Sequence, residues 1–453
     1  MKGKMNNNLN QPQSRQESAS HTAQNRGVES ETAFEGTLSP GEQRLRWFFV
    51  GWLTLSCVIN VIDKNTLAIL GPTLKEEFGL SNQYFASLLN AFLFSYAIMY
   101  TVGGRIVDKY GEKISMAGFI IWWSVSCMLH ALARGALSLG IFRFMLGIGE
   151  PGNYPAALRA STSWFSKSER GLPIAIWSSG SSVGNLLAPP MIAFITLYFG
   201  WRMAFLIPGS IGLIWVLVWL LVYRLPARSL ERMGVPVESQ VSEEKKPQAS
   251  ESLSDLLKNR KVRAIVLARL VSDPVWLFYI SWTPIYLTER WGYNLKDIGL
   301  YAWIPFIFGA IGGVFGGSFS DKMIRRGVPP AQARKRVLFA AGVIAPLGMT
   351  IGFAYSSAIS LALIAVIAFI VYIWFINTAA LATDLFPARI VGTVLGLMGT
   401  AGTLGGMGLN WLAGYILDHY HSYTPIFFIA GSGHLLATLI LFFFLKKEAL
   451  DSN

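Results

Sequence analysis

The sequence predicts an all-α integral membrane protein: twelve transmembrane helices in two pseudo-symmetric six-helix bundles. Three observations predict it. The chain of 453 residues is 53% hydrophobic and only 14% charged, with a positive mean hydropathy, a composition that soluble proteins of this size do not show. Apolar runs of about 20 residues, each long enough to cross a hydrocarbon core of about 30 Å as a helix, recur along it. A polar interval at 224–261 divides these runs six and six.

Taken in order, residues 1–43 are polar, rich in Asn, Gln and Ser, and lack an apolar signal core, so a disordered cytoplasmic tail is expected. The first bundle is expected over 44–223, with crossings at 46–71, 84–104, 113–133, 136–160, 171–199 and 201–223. A cytoplasmic linker follows at 224–261, containing VESQVSEEKKPQASESLSDLL. The second bundle is expected over 262–446, with crossings at 262–289, 297–318, 336–354, 357–386, 391–418 and 423–446, before a short tail at 447–453. Length and the lack of alternation make these helices and not strands.

The net charge of +12 raises the possibility of a nucleic-acid partner, and the placement of the charges argues against one. With the N-terminus inside, the tails and even-to-odd loops hold 30 of the 38 Lys and Arg residues; the opposite loops hold five, Lys75, Arg134, Arg202, Arg290 and Lys296. This is the positive-inside pattern, which places both termini in the cytoplasm. Cys57 and Cys127 each sit in an apolar run, in neither a CxxC nor a Cys/His pattern, so no disulfide and no metal is expected.

The two halves echo each other. GRIVDKYG at 104–111 has a counterpart in GSFSDKMIRRG at 317–327, which pairs Gly104 and Asp108 with Gly317 and Asp321; FLIPGS at 205–210 matches FFIAGS at 427–432. Parallel repeats of this kind put a substrate site between the halves near the midplane. Asp108, beside glycines that allow a tight turn, is placed to latch one side through a basic side chain or a helix N-terminus.

An ionisable side chain at a helix centre costs about 2.5–3.5 kcal/mol on insertion scales, so the exceptions are informative. In the first half they are Asp63 and Lys64 in helix 1 and Arg143 and Glu150 in helix 4. Arg143 and Glu150, two turns apart, project from one face. If helices 1 and 4 border one cavity, two acids and two bases share it, and an anionic substrate that engages a cation changes the protonation of its carboxylate neighbour. Asp63 and Glu150 are therefore the candidate proton carriers, and Lys64 and Arg143 the candidate anion ligands. In the second half Arg269 and Asp273, at i and i+4, read as a structural pair near the start of helix 7. GTAGTLGGMG at 399–408 has no Lys-Ser/Thr ending and no strand, so it reads as a close-packing segment and not a phosphate loop.

These stretches carry a resemblance. GRIVDKYGEK at 104–113 resembles the loop between helices 2 and 3 of the major facilitator superfamily. INVIDKNTL at 59–67 and RFMLGIGEPGNYPA at 143–156 are similar to the helix 1 and helix 4 motifs of its anion:cation symporter family, with Val61 where that family usually has Tyr and Lys64 where it usually has Arg. DPVWLFYISWTPIYL at 273–287, GYNLKDIGLYAWIPF at 292–306 and VLGLMGTAGTLGGMGLNWLAGYILD at 394–418 look like the hexuronate transporters of that family, apart from Ile285, where they often have Lys. The resemblance implies proton coupling at Asp63 and Glu150, and substrate contact at Lys64 and Arg143.

A hexuronate site needs a cation and hydroxyl-binding groups from both halves. The candidates are Tyr96, Asn185 and its neighbour Ser181, Trp276, Tyr279, Trp374, Asn377 and Thr378; Asn377 is chosen because a mid-helix amide facing lipid is hard to satisfy. The expectation is a monomeric multi-pass transporter of a bacterial inner membrane, importing a hexuronate such as glucuronate or galacturonate with protons, without a cofactor. Another organic anion, such as an aldonate, an aldarate or an aromatic acid, remains open, and so does a non-transporting receptor. An enzyme is not expected: no nucleophile–base pair, metal cluster or cofactor loop stands out, and the five histidines are scattered.

Overall fold

The computed structural model describes residues 40–165, 169–224 and 253–445. Most of the expected tails, 1–43 and 447–453, and of the expected linker, 224–261, lies outside the described residues; where they are described, 40–43 open the first helix and 253–258 form a short one. The first half comprises α1 (Pro40–Ile69), α2 (Gly71–Phe78), α3 (Asn82–Leu129), α4 (Ala136–Gly149), α5 (Asn153–Trp164), α6 (Gly171–Phe199) and α7 (Met203–Val222). The second comprises α8 (Leu253–Lys258), α9 (Arg260–Trp291), α10 (Leu295–Tyr301), α11 (Ile304–Arg325), α12 (Pro330–Ile344), α13 (Ser357–Leu385), α14 (Ala388–Tyr420) and α15 (Thr424–Phe444). The described residues contain no strand.

Among the described residues, ten helical segments are long and apolar enough to cross a bilayer. Two further crossings complete the expected twelve. One is the first limb of α3, from Asn82. The range of α3 spans helices 2 and 3, which the expected turn separates at Gly111, whose non-helical φ of 75° and ψ of 166° suit glycine alone. The other is the α4–α5 run, interrupted by a 3₁₀ turn at Glu150–Gly152. Pro151 lies in that turn; it has no N–H to give an α-helical ladder, and the helix tightens around it.

Without water to drive helices together, close approach of backbones does much of the packing. A methyl on Gly180 or Gly184 of α6 would press on Thr54 or on Val58 and Val61 of α1, and one on Gly312 or Gly316 of α11 would press on Phe369 or Ile373 of α13. Both are small-xxx-small pairs at i, i+4. Outward positions such as Leu137, Leu221, Val314 and Phe443 are exposed and form the apolar surface that lipid covers.

The halves meet at one end, through α3 against α14, α1 against α9, and α6 against α10 and α11. There, Lys75 pairs with Glu289, and Tyr423 donates to the same carboxylate at 2.6 Å. Burial and that neighbouring charge hold the Tyr423 phenol above its usual range. Asp418, at the end of α14, accepts from the backbone N–H groups of Asn82 and Gln83, both at 2.9 Å, and from Asn82 Nδ2 at 3.0 Å. A carboxylate of the second half thus caps a helix N-terminus of the first. Ile285 is fully buried at this seam, where a methyl on Gly71 would stand 3.0 Å from it; it is an inter-half packing residue.

At the opposite end the ion pairs among the described residues stay within their own halves. Arg159 holds Glu112 at 3.2 Å and Asp108 at 3.6 Å, and Arg334 holds Asp321 at 2.7 Å and Asp384 at 3.6 Å. The two repeat carboxylates therefore share the same kind of partner. Gly104 has open space where a side chain would stand, and Gly317 faces Ile376.

Candidate functional site

A cavity of about 420 Å³ lies between the halves, lined by α1, α3, α4, the 3₁₀ turn, α5 and α6 on one side and by α9, α13 and α14 on the other. This is the size range of small-molecule sites, about 300–1,000 Å³. Helix periodicity explains which groups reach it. Asn60 and Lys64 are one turn apart on α1, and both line the cavity.

Lys64 Nζ stands 5.8 Å from the centre of the Tyr96 ring. The Arg143 guanidinium lies 4.5 Å over Phe92, and its Nη1 donates to the Lys64 carbonyl at 3.4 Å. Both cations are thus held by aromatic faces and backbone. Glu150, with Arg143 on the same cavity wall, is buried, and neither carboxylate oxygen has a partner among the described residues. None of the four charges forms an ion pair within 4.0 Å with another described residue. Burying charges without close mates is costly, and a set arranged this way is suited to a ligand that brings its own charge.

Asp63 corrects the expectation of a shared volume. It is fully buried but does not line the cavity; its Oδ1 accepts from Cys127 Sγ at 3.4 Å, so it faces the second limb of α3. Adjacent helix positions differ by about 100°, so Asp63 and Lys64 cannot point the same way.

Tyr96, Ser181, Asn185 and Trp276 line the cavity. Asn185 Oδ1 accepts from Asn65 Nδ2 at 2.7 Å, and its Nδ2 donates to the Ser181 carbonyl at 3.0 Å. Trp276 is set edge-on to Tyr372, with centroids 4.9 Å apart. Tyr279 lines a side cleft with Asn65 and Pro189, and Trp374 lines a neighbouring chamber. Asn377 and Thr378 are not brought to the cavity. Both are buried and turn back on their own helix, Asn377 Nδ2 bonding the carbonyl of Ile373 at 2.9 Å and Thr378 Oγ1 that of Trp374 at 2.7 Å; Asn377 Oδ1 has no partner among the described residues.

Sequence reasoning missed Asn65, Phe92, Tyr154, Trp177, Thr403 and Asn410, all of which line the cavity. A signal existed for Asn410: a mid-helix amide, it accepts from Trp282 Nε1 at 3.1 Å and approaches Asn90 Oδ1 across the halves at 3.5 Å. For Phe92 and Trp177 there was none, because apolar rings are ordinary in such helices. Among the described residues, no group of three His, Cys, Asp or Glu side chains could hold a metal.

Two six-helix halves, sealed at one end around a cavity lined by lone charges, define a membrane carrier. Residues 53–409 match the Major Facilitator Superfamily, and the chain belongs to that family: it is a multi-pass membrane transporter, not an enzyme. It is 30% identical over 415 residues to the hexuronate transporter of Escherichia coli (strain K12), covering 89% of this chain and 95% of that one. It is 34% identical over 278 residues to the galacturonate transporter of Dickeya chrysanthemi, covering 60% of this chain and 81% of that one. In fold it is similar to a bacterial homologue of the human lysosomal transporter Spinster, with a TM-score of 0.70 at 19% identity, covering 90% of this chain and 98% of that one.

Proposed function

We propose that this chain imports a hexuronate, such as glucuronate or galacturonate, together with protons across a bacterial inner membrane, as a monomer with both termini in the cytoplasm. The observation that carries the reading is the placement of Lys64, Arg143 and the unpartnered Glu150 carboxylate on one cavity wall. The names of the similar transporters support the substrate, and the basic-loop asymmetry supports the orientation. Lys64 and Arg143 take the substrate carboxylate; Trp276, Asn185 and Tyr96 meet the ring and its hydroxyls. Glu150 carries the proton, and Asp63, set behind helix 1, acts on Lys64 from the other side of the helix. Asp108 and Asp321, with Gly104 and Gly317, belong to the latch that exchanges when the halves rock.

The test uses Glu150→Gln, which keeps shape but cannot titrate. An empty symporter must release its proton before it reorients. In proteoliposomes the variant should lose accumulation of glucuronate driven by a pH gradient and keep counterflow without one. Accumulation that survives would remove Glu150 from the role, and wild-type vesicles that carry neither glucuronate nor galacturonate would overturn the substrate.

A further inference from the structure

A second chamber of about 260 Å³ adjoins the central cavity and shares Tyr96, Trp276, Leu277, Val371, Phe375 and Thr403 with it. Its own polar residues include Arg269, Asp273, Tyr100, Trp374 and His434, and Ser272 Oγ, which donates to Asp273 Oδ1 at 3.3 Å. Arg269 lies two turns before Trp276 on α9, and Tyr100 one turn beyond Tyr96 on α3, so both displacements run toward the end where the halves part.

The Arg269–Asp273 pair was expected to be structural, and its contacts show more than bracing. Arg269 is 6% exposed, and its Nη2 meets Asp273 Oδ2 at 2.9 Å. Its Nε and Nη1 have no partner among the described residues, and the same is true of His434 Nε2 and Trp374 Nε1. Trp374 and His434 meet edge-on at 5.3 Å, so the unmet groups belong to one cluster. A guanidinium offers five N–H donors, and a single carboxylate bond does not use them. Gly402 leaves room for the Asp273 carboxylate, against which any side chain there would collide. The Phe375 ring lies 4.3 Å over the guanidinium; it is 43% exposed and borders both spaces, where a ligand passing between them would meet it.

We infer that this chamber is a second anion subsite, and that the transporter takes open-chain sugar diacids by placing one carboxylate at Lys64 and Arg143 and the other at Arg269. The inference rests on the reading of Lys64 and Arg143 as the first anion site. A cyclic hexuronate has one carboxylate and satisfies one pole; an aldarate such as glucarate presents one to each. A carboxylate fits better than a phosphate because it is planar, matches the guanidinium fork, and adds one negative charge beside Asp273 where a phosphate would add up to two.

The experiment compares glucarate with glucuronate as inhibitors of glucuronate counterflow, with direct calorimetry of glucarate binding on the same purified proteins. Arg269→Gln combined with Asp273→Asn leaves no buried charge unpaired. In that variant the affinity for glucarate relative to glucuronate should fall by about tenfold or more. Arg269→Lys, which keeps the charge but loses the fork, should lower the ratio by about threefold, and it carries the test if the double variant does not fold. A ratio within twofold of wild type in these variants, or equal losses for both ligands, overturns the subsite. So does a wild-type protein that does not bind glucarate. Failure of glucuronate transport with glucarate binding intact and dependent on Arg269 would instead overturn the hexuronate reading alone.

Discussion

Asp418 is the point at which one substitution should shift the whole molecule between states. Its carboxylate receives three hydrogen bonds from Asn82 and Gln83, two of them from backbone N–H groups at the start of α3. The Ser81 side chain already accepts from Tyr84 N–H, so α3 keeps a cap of its own when Asp418 is removed. The loss therefore falls on the contact between halves. A helix cap contributes about 1 kcal/mol, a negative charge at a helix N-terminus about 0.5 kcal/mol, and the side-chain bond about 0.5 kcal/mol at a half-buried site. Asp418→Ala should thus weaken closure of this end by about 2 kcal/mol, roughly a 30-fold shift in the equilibrium between states. Asp418→Asn, which keeps one acceptor and loses the charge, should cost about half as much. Spin labels on cysteines replacing Glu76 and Tyr420, both exposed and on opposite halves, report the closed fraction through their distance distribution. An Ala variant whose closed fraction stays within twofold of wild type, or an Asn variant that opens as far as Ala, would refute the argument.

Lys64→Ala should reduce hexuronate affinity by more than tenfold, whereas Lys64→Arg should retain binding and tighten it through a two-bond contact; equilibrium binding decides. Asn377→Ala should leave affinity within about twofold and stability within about 1 kcal/mol, because its Nδ2 bonds its own helix, its Oδ1 has no partner among the described residues, and it does not line the central cavity; a large loss of binding would return Asn377 to the site. Gly402→Ala should destabilise by about 1–3 kcal/mol, since its methyl meets the Asp273 carboxylate, as read from a thermal melt. Cysteines replacing Arg326 and Tyr355, in a background with Cys57 and Cys127 changed to Ser because Cys57 lines the cavity, should label from the cytoplasm and the periplasm respectively in intact cells; the reverse pattern would overturn the orientation.

The crossings were legible because a 30 Å hydrocarbon layer demands long apolar runs, and the repeat was legible because Asp108 and Asp321 sit in matching stretches. The turn between helices 2 and 3 was legible in the glycines of GRIVDKYG, though not that it would narrow to a single residue, Gly111. Lys64, Arg143 and Glu150 stood out because charge is expensive in an apolar run. The position of Asp63 was also in the sequence, since neighbours on a helix point about 100° apart. Asn377 and Thr378 were misplaced for a different reason. The helix around them is apolar on every side, so no pattern marks the face that borders the cavity. The Asp418 cap was out of reach, because it joins residues more than 330 positions apart and its donors are main-chain groups common to every residue but proline.

The 3₁₀ turn at Glu150–Gly152 makes helix 4 a jointed rod. Arg143 and Glu150 both ride on the α4 side of the joint, since the Glu150 N–H still bonds the Leu146 carbonyl, whereas Asn153 and Tyr154 ride on α5 beyond it. A change of angle between α4 and α5 therefore swings those two cavity-lining residues past a charge pair whose spacing the helical ladder holds, so bending of the scaffold reshapes the pocket around the charges without resetting the charges themselves.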